Sequence, residues 1–314
     1  IPDMDPTKHA RVNPKRLIQA ISNKGVTSMF ASPALLNRVG EYGKKNRIKL
    51  PSLKRVISAG APVSPSIIEQ FSSMLCGDAE IHTPYGATEA VPIISITSNQ
   101  ILSETRKFSD QGYGICIGRP INDLKVCIIK VSDDPIDKWS EDLMAPDGEI
   151  GEISVKGDLV TRTYFERPDS DALAKIKDRD SFWHRMGDVG WKDSKGRIWF
   201  CGRKSHRVVT ENRTLFTIPC EAIFNNHPRV YRSALVGIRP RSRQKPVICI
   251  ELKRDKIKNN KKTIKNELLA LAQQHELTQD IESVLFHPSF PVDIRHNSKI
   301  FREKLAIWAE KKFK

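Results

Sequence analysis

Residues 81–90 read IHTPYGATEA. Pro84 and Gly86 punctuate the stretch, Thr88 can cap a following element, and Glu89 is a side chain that water accepts, so these ten residues are compatible with a plain turn between two apolar runs. Taken alone they go no further. The sequence on either side decides whether the turn is also a platform for something bound.

On the N-terminal side the pattern alternates. NPKRLIQAISNKG (13–25) has helical spacing and ends on a glycine, and VTSMFAS (26–32) reads as a buried strand. PALLNRVGEYGKKN (33–46) is a second helix, LKRVISAG (53–60) a strand running into a turn, and SPSIIEQFSSML (64–75) a helix with a serine cap. This is α/β order, in which sites gather where strands end and loops begin. From about residue 114 the pattern becomes mostly β, with LKVCIIKV (124–131), GEISVKG (151–157) and GRIWFCG (196–202) separated by glycines and aspartates. Beyond 203 come two strand-like runs, YRSALVGI (231–238) and PVICIEL (246–252). Two amphipathic helical patterns lie beside them, TIKNELLALAQQHEL (263–277) and SKIFREKLAIWAEKKF (298–313).

Charge marks the same boundary. The 314 residues carry a net charge of +15, yet from Arg203 onward there are 24 lysines and arginines against 11 aspartates and glutamates, and before it 28 against 26. Two units divided near 203 are expected. The densest basic run, KRDKIKNNKK (253–262), has no interleaved aromatics and reads as a solvated loop rather than a nucleic-acid surface. No apolar run approaches the roughly 18–20 residues needed to cross a bilayer, and no secretory signal is visible. Six cysteines (Cys76, Cys116, Cys127, Cys201, Cys220, Cys249) stand singly, several inside apolar strands, as expected of buried thiols in a reducing cytoplasm. The eight histidines lack ligand spacing, so no structural metal is expected. The opening IPDMDPTKHARVNP is abrupt and reads as a cut from a longer polypeptide.

Six fragments in one order carry a specific resemblance: SAGAPVS (58–64), TPYGATE (83–89), GEISVKG (151–157), MGDVGW (186–191), CGRK (201–204) and SKIFREKL (298–305). Together they resemble the adenylate-forming superfamily of acyl-CoA synthetases, luciferases and peptide-synthetase adenylation domains. TPYGATEA, WFCGRKSHRV, TIPCEAIF and FPVDIRHNSKIFREKLA are more narrowly similar to the β-lactone synthetases of bacterial long-chain olefin biosynthesis. The resemblance implies an α/β fold comprising the C-terminal part of a large AMP-binding domain over 1–203, with a β-rich, barrel-like subdomain at about 114–203. A small mobile α+β domain over 204–314 would follow.

The resemblance also assigns roles. Gly60, Ala61 and Pro62 would line one side of adenine, where small residues let backbone approach the ring, and Tyr85, followed by Gly86, would stack on the other. Thr88 would contact phosphate, and Glu89 would hold Mg2+, a hard cation suited to carboxylate oxygen. Asp188 would accept the ribose hydroxyls and Arg203 would support ribose and phosphate. Lys299 would bridge the substrate carboxylate and the α-phosphate of ATP; as sequence alone it could equally be a first-turn helix lysine. Glu89, Asp188 and the SAGAP turn are expected to share one cleft, and 204–314 to rotate about 203–206.

Departures from the family pattern sharpen the reading. No glycine- and serine-rich phosphate loop precedes Gly60, so the isolated stretch is expected to adenylate poorly or not at all. The hinge position is Ser205, and Ser298 replaces the usual glycine before the lysine. Residues 208–219, with Glu211, Asn212 and Arg213, contain no glycine, although backbone lining a thin pantetheine tunnel benefits from it. The activity implied is ATP-dependent activation of a long-chain 2-alkyl-3-hydroxy acid followed by closure to a β-lactone, with other enzymes of that pathway as the partners the resemblance implies. A fatty acyl-CoA or acyl-AMP ligase is the alternative.

Overall fold

The computed structural model describes residues 12–121, 123–253, 260–293 and 299–313. They form two compact units, one of 1–106, 116–123 and 292–299, the other of 107–115, 124–291 and 300–314.

In the first unit three helices start on the same device, a polar cap followed by proline. Asn13 Oδ1 accepts the amides of Lys15 and Arg16 at the start of α1 (Pro14–Asn23), and Ser32 and Ser64 open α2 (Pro33–Lys45) and α3 (Pro65–Ser72) in the same way. Proline costs nothing at a first helical position, where its missing N–H would be unsatisfied anyway. Between the helices run β1 (Ser28–Ala31), β2 (Arg55–Ser58) and β3 (Glu80–Ala87), parallel to one another, with Met29, Val56 and Ile81 in one row and Phe30, Ile57 and His82 in the next. The expectation of a buried strand at 26–32 needs correction. Among the described residues β1 is an edge strand bonded only to β2, and its alternate residues Ser28 and Phe30 face out, Phe30 being 69% exposed. The sheet then turns antiparallel through β4 (Ala90–Thr97) and β5 (Ile115–Pro120). The two are linked by α4 (Ser98–Gln100), a π-helical turn (Ile101–Thr105) and α5 (Arg106–Asp110).

In the second unit β6 (Lys125–Ile129), β7 (Gly151–Lys156), β9 (Ser181–Lys192) and β10 (Ile198–Arg203) are antiparallel in the order β10-β9-β7-β6. α6 (Pro168–Ala174) leads into β8 (Lys175–Asp178), which pairs with the start of β9. The twelve residues of β9 thus bond in turn to three strands. Trp139 stacks on Trp183 at 4.6 Å over Cys127, Ile129 and Ile176. A tight turn joins β9 to β10. Asp193 accepts the amides of Lys195 and Arg197 at one oxygen, and Arg197 Nε (2.7 Å) and Trp199 Nε1 (3.0 Å) at the other, while Trp191 and Trp199 stack behind it. Burial works against this carboxylate, but the bonds from Trp199 and Arg197 and the arginine's charge hold its pKa below the usual value.

The same unit continues through the short pair β11 (Val208–Val209) and β12 (Thr214–Leu215), then α7 (Thr217–Asn225), β13 (Val230–Ile238), β14 (Lys245–Leu252), α8 (Lys261–Gln273), β15 (Val284–Phe286) and α9 (Arg302–Glu310). β13 and β14 are antiparallel, β14 and β15 parallel, and Leu235, Ile248, Ile250, Leu268 and Phe224 share their core. The basic run at 253–262 lies mostly outside the described residues; its last members, Lys261 and Lys262, begin α8 behind the cap Asn260. Among the described residues, no helix is long and apolar enough to cross a membrane.

Two tests follow from the packing. The buried carboxylate of Glu221 on α7 accepts Leu235 N at 2.8 Å and Arg302, at the head of α9, at 2.7 Å on both oxygens. Arg302→Ala leaves that charge alone in the core, and urea unfolding should show a loss of about 3–5 kcal/mol; a loss under 1 kcal/mol would mean the pair does not hold α9. Five of the six cysteines are buried and none of the six is in a disulfide, with burial pushing the thiols of Cys127, Cys220 and Cys249 up to about 12. A thiol-reactive disulfide at pH 8 should therefore modify only half-buried Cys76 in the native protein and all six after denaturation.

Candidate functional site

β2 and β3 are parallel neighbours, so the loops leaving their C-terminal ends emerge side by side, the place where open α/β sheets bind ligands. The loop after β2 is Ala59-Gly60-Ala61-Pro62, with Gly60 at φ +95°, a backbone setting that side chains rarely adopt. At the end of β3 the register shifts between Tyr85 and Ala87, with Gly86 at the irregularity. A Cβ on Gly86 would sit 2.6 Å from the carbonyl oxygen of Ala90 and 3.0 Å from Cα of Val91, so β4 leaves no room for a side chain there. Ala87 pairs with Ala90, making Thr88 and Glu89 the two loop residues of the β3–β4 hairpin. Thr88 is exposed; Tyr85 and Glu89 are half-buried. The loop after β2 and the tip of the β3–β4 hairpin follow parallel neighbouring strands. Together they carry a ledge of small residues, an aromatic ring on the adjacent strand and a carboxylate at the tip.

The second unit holds the other pair. The register of β9 against β10 slips between Phe200 and Gly202, which sets Arg203 directly across from Asp188. Arg203 Nη1 lies 3.1 Å from the buried carboxylate of Asp188 and is half exposed, so the pair presents an acceptor held from inside and a cation open to solvent. Gly202, at φ +125°, lies against Thr217 Oγ1, where a Cβ would clash.

Lys299 is exposed and lies in 292–299, the segment that clusters with the first unit. It is not a first-turn helix residue: α9 starts at Arg302, and the Lys299 carbonyl accepts the amide of Asp293 at 2.9 Å. The preceding Ser298 lies outside the described residues.

A network the motifs did not flag lies beneath Arg203. Glu152, fully buried on β7, accepts Arg185 at 2.8 Å and Lys204 at 3.0 Å. Burial pulls the Lys204 ammonium below the usual lysine value, against the attraction of Glu152. Arg207 bonds to Asp133 at 2.6 Å and, with Arg241 nearby, holds that carboxyl below its usual range. The sequence signal was a charge inside an apolar strand, Glu152 in GEISV and Arg185 in FWHRM.

The donor chemistry suits a nucleotide with its metal. Mg2+ takes one or two carboxylates and completes its shell with phosphate and water oxygens; Glu89, half-buried at the hairpin tip, could serve as such a single donor. Among the described residues there is no group of three or more His, Cys, Asp or Glu that could hold a metal ion unaided.

Comparison with known proteins agrees. The model of the AMP-binding enzyme family matches residues 4–165. The olefin β-lactone synthetase of Xanthomonas campestris is 44% identical over 98% of this chain and 56% of its own length, and that of Stenotrophomonas maltophilia 43% identical over the same shares. The chain therefore spans about half the length of the curated relatives it matches. Among solved structures, the amide bond synthetase of Marinactinospora thermotolerans superposes with a TM-score of 0.76 at 24% identity, over 95% of this chain and 55% of that one. O-succinylbenzoate coenzyme A synthetase of Bacillus subtilis, in complex with ATP and magnesium ion, does so at 0.70 and 18%, over 94% and 54%. The chain belongs to the AMP-binding enzyme family of the adenylate-forming superfamily.

Proposed function

We propose that this chain serves the ATP-dependent activation of a long-chain 2-alkyl-3-hydroxy acid and its closure to a β-lactone. The observation that carries the reading is the 44% identity along 98% of the chain to an enzyme of that name. The glycine-free hairpin β11–β12 supports it, since Thr210 and Arg213 close that loop on each other and no glycine lets backbone approach a thin acceptor.

In the first step a carboxylate oxygen attacks the α-phosphorus of ATP, the bond to the β-phosphate oxygen breaks, and pyrophosphate leaves. Gly60, Ala61 and Pro62 with Tyr85 take adenine, Asp188 accepts the ribose hydroxyls, and Arg203 steadies ribose and phosphate. Thr88 donates to phosphate and Glu89 holds Mg2+, which supplies neutralising charge on the phosphates when bound. Lys299 acts where two anions must meet, so its charge matters most in the transition state. In the second step the substrate's own 3-hydroxyl oxygen attacks the acyl carbon, the carbon–oxygen bond to AMP breaks, and the hydroxyl proton passes to solvent. The attack is intramolecular and needs no acceptor thiol. Residues 204–314 turn about 203–206 between the steps. The buried thiols fit a reducing cytoplasm, and the enzymes that make the hydroxy acid and consume the lactone are the natural partners.

The test is pyrophosphate release and lactone formation from ATP, Mg2+ and a 2-alkyl-3-hydroxy acid without coenzyme A, in a polypeptide spanning the full length of the relatives. Lactone without the thiol is the expected result; product only with coenzyme A would assign an acyl-CoA ligase instead. Lys299→Ala should slow adenylate formation on the order of a hundredfold with the KM for ATP little changed, and Lys299→Arg should restore it only in part, because a planar fork cannot replace a compact ammonium. Asp188→Asn should instead raise the KM for ATP by about tenfold or more, since it weakens hydrogen bonds to a charged acceptor. Normal turnover of both variants would remove these residues from the site.

A further inference from the structure

Lys204 follows Arg203 directly, and its ammonium is turned inward to two acceptors: the Glu152 carboxylate at 3.0 Å and the Ser132 carbonyl at 2.9 Å. Arg185 already occupies both. It donates to Glu152 at 2.8 and 3.1 Å and to Ser132 O at 2.5 Å, and further to the carbonyls of Asp134 and Leu173. Arg185 and Glu152 are each 1% exposed in their side chains and neutralise each other, but both arginine bonds fall on Oε2, and Oε1 has the Lys204 ammonium 3.0 Å away. One buried carboxylate needs one cation, and burying a second long cation costs desolvation and side-chain entropy. Lys204 is therefore a second cation on a carboxylate whose charge Arg185 already neutralises; its withdrawal leaves Oε2 and the Ser132 carbonyl with their arginine donor and uncovers only Oε1.

What the second cation does fix is the backbone. Its side chain runs into the β6–β7–β9 layer at the point where the chain leaves β10, two residues after Gly202, at which the bulge that sets Arg203 across from Asp188 ends. Arg207 then donates to the Lys204 carbonyl at 2.7 Å, closing the turn from the other side. We infer that Lys204 is a positioning residue, an anchor whose task is to hold Arg203 against Asp188, whereas Arg185 alone balances Glu152. The inference rests on the reading of Asp188 and Arg203 as the ribose and phosphate holders.

The clean variant is Lys204→Met, which keeps the aliphatic stem and leaves Glu152 paired with Arg185. Its thermal midpoint should stay within about 2 °C of wild type, whereas Arg185→Met, which strands the carboxylate, should lower it by much more or prevent folding. In Lys204→Met, amide hydrogen exchange across 201–207 should accelerate at least about tenfold while 183–190 keeps its protection. The dissociation constant for ATP in Mg2+, measured by calorimetry on a polypeptide spanning the full length of the relatives, should rise about tenfold. Combined with Arg203→Ala, the lysine variant should weaken binding no further, because it acts through that arginine. A thermal loss equal to that of Arg185→Met, unchanged exchange at 201–207, or full additivity with Arg203→Ala would each overturn the proposal. If wild type itself binds no ATP, the nucleotide reading fails, and the exchange and melting measurements still decide whether Lys204 anchors this segment.

Discussion

A carboxylate removed from water must be met by a cation, and in the second unit that requirement organises everything around the candidate ribose holder. Glu152 on β7 is fully buried, and Arg185 on β9 answers it while gathering the carbonyls of Ser132, Asp134 and Leu173. One guanidinium thus fastens the 132–134 loop, the end of α6 and two strands of the sheet. Asp188 lies three residues further along β9, and its position is inherited from that fastening. An ion pair of this kind adds little net stability over an apolar pair of equal volume, but breaking one side is costly. It gives the site one admissible geometry.

The first unit depends on a different constraint, the direction of its strands. Parallel β2 and β3 deliver the SAGAP loop and the YGATE hairpin to the same edge. The chain then reverses at Thr88 and Glu89, and the return strand β4 passes so near Gly86 that only glycine fits. Backbone approach and side-chain presentation arise from one reversal: glycines give space, and the residues beside them give an aromatic face and a carboxylate.

Much of this was legible in the residues. Ser-Pro and Asn-Pro pairs marked three helix starts because cap and proline act locally, and period-two runs marked β6, β7 and β10 because alternation is itself a local signal. The roles given to TPYGATE and MGDVGW come from the family resemblance that their order carries, and they remain proposals. Less legible was what depends on distant partners. Nothing in VTSMFAS tells an edge strand from a central one, so the exposure of Phe30 appears only with the sheet order. The pairing of Glu152 with Arg185 and Lys204, residues 33 and 52 positions away, requires the fold to be known. The same holds for Lys299: its residue type fits a helix start, and only the Asp293–Lys299 backbone bond places it before α9.

The central claim is that the edge formed by the ends of β2 and β3 receives adenine. Photolabelling of the protein with 8-azido-ATP in Mg2+, with mapping of the modified peptides, tests it most directly. The account predicts label within 58–64 or 83–89, protected by excess ATP. Saturable, ATP-protected label confined to the basic helix α8 would contradict it.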